Sequence, residues 1–150
     1  IHLGDTMIFL SVLVLGKKGG AAAAGLGSAL ADLLGGYAAY AIWTFMIKGL
    51  MAFIMGAFIE RAIKKNKHHR RIGSVPVAEL AGMVVAGIEM VIGYAAVDGI
   101  LAGNMMTGIL GAPFNVIQFV VGLVLATILA MALYKTPAAK LFAYRVDEIK

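Results

Sequence analysis

The sequence predicts an all-α integral membrane protein, and three observations carry that reading. Hydrophobic residues make up 61% of the 150-residue chain and charged residues 14%, with a mean hydropathy of +0.92. Soluble domains run at about 45–50% apolar and about 25% charged. One soluble core could not hide the surplus, whereas a bilayer accepts it as lipid-facing surface. The apolar residues also fall in runs approaching the ~20 residues that cross ~30 Å of hydrocarbon, without the alternation of a β-barrel strand. Finally, the 19 glycines suit the close approach of membrane helices.

Five apolar segments can be placed, at residues 3–16, 20–34, 41–63, 76–101 and 110–134, within a single transmembrane domain spanning 1–150. The first two are short. The third ends in a basic run from Glu60 and Arg61 through Lys64, Lys65, Asn66, Lys67, His68 and His69 to Arg70 and Arg71. Lys17 and Lys18 form a second basic turn, and Lys135, Lys140, Arg145 and Lys150 follow the last segment. The intervening loops, 35–42 and 99–112, carry no Lys or Arg. Basic loops stay in the cytoplasm, so the chain alternates consistently across the membrane and its C-terminus is expected inside. Residue 1 then starts outside, and because it is Ile rather than Met, a sixth helix upstream is expected.

Local signals refine the ends. Pro76 suits a first helical turn, with Ser74 as its expected N-cap. Pro113 is expected to open the regular part of the last helix and Pro137 to help end it. Asp5, after Gly4, is expected to cap the first segment. The tail 138–150 alternates apolar and charged residues, as a segment lying on the membrane surface or a frayed terminus would.

Ionisable groups in hydrocarbon cost at least about 2.5–3.5 kcal/mol and need a partner, water or a ligand. Lys48 lies five residues beyond Trp43, or about 7–8 Å at ~1.5 Å per residue, with Thr44 one turn away on its face. Tyr94 and Asp98 share a face of the fourth segment, and Asn115 and Gln118 share a face of the fifth, extended by Gly111 and Gly122. Glu89 lies deeper. Tyr37, Tyr40 and Trp43 add aromatic groups at the same level. The candidate substrate-binding set is therefore Lys48, Tyr94, Asp98, Asn115, Gln118, Tyr40, Trp43 and Glu89, a mixture fit for a small planar polar molecule. The bland alternatives are a snorkelling Lys48, an interfacial aromatic belt, and Asn115 and Gln118 as interhelical glue. Asp32 is either structural or faces the cavity.

Other chemistry is limited by what the chain lacks. With no cysteine there are no disulfides or thiolate metal sites. His68 and His69 are adjacent, so they cannot share a helical face as i, i+4 ligands do, and they read as part of a solvated basic loop. No Walker A, GxSxG or HExxH motif is present. The net charge of +5 describes topology rather than nucleic-acid binding.

The stretch Gly16-Lys17-Lys18-Gly19-Gly20 and the run from Gly25-Leu26-Gly27-Ser28 through Asp32 to Gly35-Gly36-Tyr37 resemble the substrate-binding S components of energy-coupling factor (ECF) vitamin transporters. So do His2 to Thr6, Thr44 to Gly49 and Pro113 to Gln118, and the resemblance covers most of 2–130. It implies a six-helix, multi-pass protein of a prokaryotic plasma membrane. Such a subunit captures a vitamin from outside and docks on a transmembrane coupling protein with two ATPase subunits, which then tip it to release substrate inside. The chain itself would hydrolyse no ATP and need no cofactor. The His-Leu-Gly-Asp and Gly-Ser-Ala-Leu-Ala-Asp stretches look nearest to members assigned to vitamin B6 or hydroxymethylpyrimidine. In that setting Asp98 would take a protonated ring nitrogen, Asn115 and Gln118 would bond hydroxyls, and Lys48 would meet an anionic oxygen or pair with Asp98. The alternatives are a small intramembrane enzyme, with Glu89 or Asp98 as acid/base, and a structural membrane subunit.

Overall fold

The computed structural model describes residues 3–65, 67 and 70–144. Its elements are α1 (Gly4–Leu34), α2 (Ala38–Lys64), the short strands β1 (Arg71–Ile72) and β2 (Val75–Pro76), α3 (Val77–Leu101), α4 (Met105–Tyr134) and a 3-10 turn at Pro137–Leu141. All four α-helices are long and apolar enough to cross a membrane. The expected roles of His68, His69 and the tail beyond 144 lie outside the described residues.

The first two expected segments are the two helical arms of α1, which is two helices joined across a kink. The arms meet at Gly16, which adopts φ 74°, ψ −178°, a conformation essentially reserved for glycine. The chain folds back there. A Cβ placed on Gly20 would lie 2.8 Å from the Cα of Val12, whereas positions 12 and 20 of a straight helix stand about 12 Å apart. The Gly-Lys-Lys-Gly-Gly stretch is thus a turn, as its composition implies, but one compressed into a single broken residue.

Several boundaries differ from the sequence expectation. Asn104 caps α4 by accepting from the Met106 amide at 3.0 Å. The helix therefore begins well before Pro113, which sits inside it. Membrane helices tolerate such prolines because neighbouring groups re-satisfy the freed backbone. Pro76, not Ser74, is the N-cap residue of α3; the Ser74 hydroxyl instead donates to the Met131 carbonyl at 3.1 Å. Asp5 does not cap α1, because its side chain is drawn into an ion pair. Pro137 starts the 3-10 turn after α4 has ended at Tyr134.

The described part of the tail is packed against the bundle through residues 142–144. The Ala143 amide donates to the Leu13 carbonyl at 2.8 Å, beside the α1 bend. Phe142 is buried and meets Tyr134 edge-on at 5.0 Å. The Tyr144 hydroxyl accepts from the Lys17 amide at 2.7 Å and donates to Glu60 at 3.3 Å, while the Lys17 ammonium lies 2.5 Å from Glu60. Burial pushes the Tyr144 phenol up to about 12, so it stays protonated and able to donate. These contacts tie the bend, the end of α2 and the tail together at the basic end of the bundle. There β1 pairs antiparallel with β2, Arg71 opposite Pro76 and Ile72 opposite Val75.

The interior is filled by Phe9, Leu13, Met51, Met55, Ile59, Met83 and Met90, all essentially inaccessible. Much of the outer surface is apolar too, with Leu34, Ile42 and Phe114 more than two-thirds exposed. Lipid is as apolar as this core, so burial alone gives helices little reason to associate, and close packing and interhelical hydrogen bonds must do so. Gly108 shows how close the packing is: a Cβ there would lie 1.8 Å from the Ala95 carbonyl oxygen. That contact brings the C-terminal part of α3 and the N-terminal part of α4 together beside Asp98.

Candidate functional site

Lys48 lies ten residues into α2, about 15 Å along the helix. It is thus deeper than its distance from Trp43 implied, and only 2% exposed, so it does not snorkel. Between Lys18 and Arg61 it is the sole Lys or Arg, and a buried ammonium needs a counter-charge. Asp5, fully buried on the first arm of α1, supplies it at 2.5 Å. Pairing with Asp98 is therefore not what is found. Gln118 of α4 donates to the other Asp5 oxygen at 3.2 Å, so three helices meet on one carboxylate. The ammonium also lies 5.2 Å from the centre of the Tyr94 ring, within cation–π range.

Above this floor the polar groups continue toward the end of the bundle that carries the short turns after α1 and α3. Tyr94 donates to the Thr44 hydroxyl at 3.1 Å, and Tyr40 donates to Asp98 at 3.0 Å. Each bond joins α2 to α3. Between these helices and α4 lies a cavity of about 290 Å³, walled by Tyr40, Thr44, Tyr94, Asp98, Asn115 and Gln118 and completed by Asp32 and Tyr37. A second compartment of about 630 Å³ runs between the two arms of α1. It shares Asp32, Tyr37, Thr44 and Tyr94 with the first and has Lys48, Ser11 and Ser28 in its wall. One Asp32 oxygen is buried without a hydrogen-bond partner.

Five of the eight expected residues, Tyr40, Tyr94, Asp98, Asn115 and Gln118, thus share the smaller compartment, and Lys48 lines the adjoining one. Trp43 and Glu89 are placed elsewhere. They line a separate apolar groove of about 700 Å³ with Phe45, Leu50 and Phe53, because Trp43 and Glu89 project from the faces of α2 and α3 turned away from the polar cavity. Asp5 and Asp32 were not in the expected set. Asp5 was detectable in principle, since a lone intramembrane lysine implies a carboxylate on another helix. Choosing Asp5 over Asp98 requires the helix crossings. Among the described residues no cluster of three His, Cys, Asp or Glu could hold a metal ion.

Two comparisons bear on this arrangement. An uncharacterized protein from Pyrococcus woesei, described as lying in a gap 3′ region, is 39% identical over 103 residues, covering 69% of this chain and 62% of that relative. The chain therefore spans under two thirds of that relative's length. No solved structure matches. The model of the ECF-type riboflavin transporter S component family matches residues 1–135, nearly the whole chain and all four spanning helices. The apolar helices with polar residues facing one another are therefore those of a multi-pass membrane protein, and this chain belongs to the S-component family of ECF-type riboflavin transporters.

Proposed function

We propose that the chain is the substrate-binding subunit of an ECF importer and that the two joined polar compartments hold its vitamin. The observation that carries this is a cavity lined by acids, amides and phenols inside an apolar bundle, floored by a neutralised ion pair. Hydrocarbon penalises every one of those groups, and a bound polar ligand would offset that cost. Lys17, Arg61, Lys64 and Lys135 collect at the opposite end of the helices. By the positive-inside tendency, that end faces the cytoplasm of a prokaryotic cell and the cavity opens outward. A coupling protein and two ATPase subunits would then supply the energy that the family's transport cycle needs.

Riboflavin is the first candidate ligand. The matching family carries its name, and the two compartments together offer room of the size usual for ligand pockets, about 300–1,000 Å³. The flavin ring would lie among Tyr37, Tyr40 and Tyr94, with ribityl hydroxyls reaching Asp32, Asp98 and Asn115. A single-ring vitamin, B6 or hydroxymethylpyrimidine, is the second candidate, favoured by the 290 Å³ compartment taken alone, which gathers Asp98, Asn115 and Gln118. Equilibrium titration of the purified protein in detergent with riboflavin, pyridoxine and hydroxymethylpyrimidine separates the readings. Saturable one-to-one binding of riboflavin, at least tenfold tighter than either single-ring compound, is expected. Preference for a single-ring compound would transfer the assignment to it, and no binding of any of the three would defeat the proposal.

A further inference from the structure

The groove lined by Trp43 and Glu89, apart from the polar compartments, has the make-up of a second binding site. Its wall is apolar and aromatic, with Trp43, Phe45 and Phe53 on α2 and Ala96 on α3, and Glu89 is its one ionisable side chain. Small-molecule sites are built this way, from a mostly apolar lining with a few placed polar groups, in volumes of about 300–1,000 Å³. This groove measures about 700 Å³. We infer that it binds a lipophilic amine, with the ammonium on Glu89 and the apolar body against the aromatic wall.

Glu89 stands at the middle of α3, and its Oε2 is buried without a hydrogen-bond partner among the described residues. Among those residues it forms no salt bridge either, since Lys48 is engaged with Asp5 and Lys17 with Glu60. A carboxyl at such a depth is costly unless it is paired, and a donor carried by a ligand removes that cost. Hydrogen bonds between charged groups are roughly twice as strong as neutral ones, so an ammonium is favoured over an alcohol. The aromatic wall selects the same charge, because ring faces attract cations within about 6 Å of their centres. It already does so at the end nearer the basic turn, where the Lys17 ammonium lies 5.1 Å from the centre of the Phe53 ring. A plain hydrocarbon chain would fill the groove but leave the Glu89 oxygen unmatched. The inference does not depend on which vitamin the polar compartments hold.

The chain's single tryptophan, Trp43, stands in the groove wall, so its emission reports occupancy. The test titrates the purified full chain, in a non-ionic detergent, with dodecylamine and with dodecanol, which has the same chain and no charge. It is repeated for Glu89→Gln and, independently, for Ala96→Leu, which narrows the groove and keeps the carboxyl. The amine is expected to change Trp43 emission saturably, with half-saturation at a mole fraction about fivefold or more below that of the alcohol. Glu89→Gln should bring the two probes within about twofold of each other, and Ala96→Leu should weaken amine binding about threefold or more. Circular dichroism checks the fold of each variant, and a folding failure of one leaves the other to decide. Equal half-saturation by the two probes in the unmodified protein, or a non-saturating response to the amine, would overturn the inference. So would an amine preference unmoved in Glu89→Gln, or an amine affinity unmoved in Ala96→Leu.

Discussion

Lys48→Met is expected to destabilise the protein by about 3–5 kcal/mol, the usual cost of removing one partner from a buried ion pair. The loss comes less from the vanished attraction than from what stays behind. Asp5 is fully buried on α1 and retains only the Gln118 amide as a side-chain partner. A carboxylate so placed must find a proton or drag water into the bundle. The double variant Asp5→Leu/Lys48→Met removes both charges and is expected to recover most of the stability, since apolar replacements of buried pairs are often neutral or stabilising. Unfolding in detergent, followed by circular dichroism for the wild type, both single variants and the double variant, measures the coupling directly. A double variant no more stable than Lys48→Met would mean that the pair matters for some reason other than charge compensation.

Gly108→Val is expected to cause the second large loss. The first atom of any side chain at this position would fall 1.8 Å from the Ala95 carbonyl oxygen, 2.8 Å from its carbonyl carbon and 3.1 Å from the Gly99 amide nitrogen. These obstacles are backbone, so no rotamer change relieves them, and α3 and α4 must separate. Overpacking typically costs about 1–3 kcal/mol, and a clash against the α3 backbone belongs at or above the top of that range. The crossing stands beside the cavity: Gly111, one turn further along α4, faces the Asp98 carboxyl, where an added Cβ would come within 3.3 Å. Separation there would also splay Asp98 from Asn115. Lower thermal stability together with weakened vitamin binding is expected. Wild-type stability in Gly108→Val would show that the two helices cross less closely than described.

The spans and their polar faces were legible in the sequence because each depends on local pattern. Apolar runs, basic islands and the i, i+3 or i, i+4 spacing of Asn115 with Gln118 and of Tyr94 with Asp98 all survive in the structure. What was not legible depends on how helices cross. Lys48 was expected to meet an anionic oxygen or pair with Asp98, and only the fold-back at Gly16, which sets Asp5 against α2 and α4, supplies its partner. Trp43 shares a depth with Tyr40 but not a face, so it lines the apolar groove, as does the deeper Glu89. The start of α4 was misjudged because Pro113 reads as a boundary locally, although a helix in an apolar setting can continue through it. The tail was unreadable because its contacts join Ala143 to Leu13 and Tyr144 to Lys17 and Glu60, all far away in sequence.

The central claim is that the vitamin lies in the two joined polar compartments, against Asp98, and not in the apolar groove that holds Trp43 and Glu89. The most direct test compares vitamin affinity in Asp98→Ala and Glu89→Gln under the same conditions. Asp98→Ala removes a hydrogen-bonded carboxyl from the cavity wall. At about 1.5–3 kcal/mol for a hydrogen bond to a charged group, affinity should fall roughly 10- to 100-fold. Glu89→Gln, in the separate apolar groove, should leave affinity within about twofold, a change of about 0.4 kcal/mol. Loss of binding in Glu89→Gln with full affinity in Asp98→Ala would contradict the assignment and move the site to the groove.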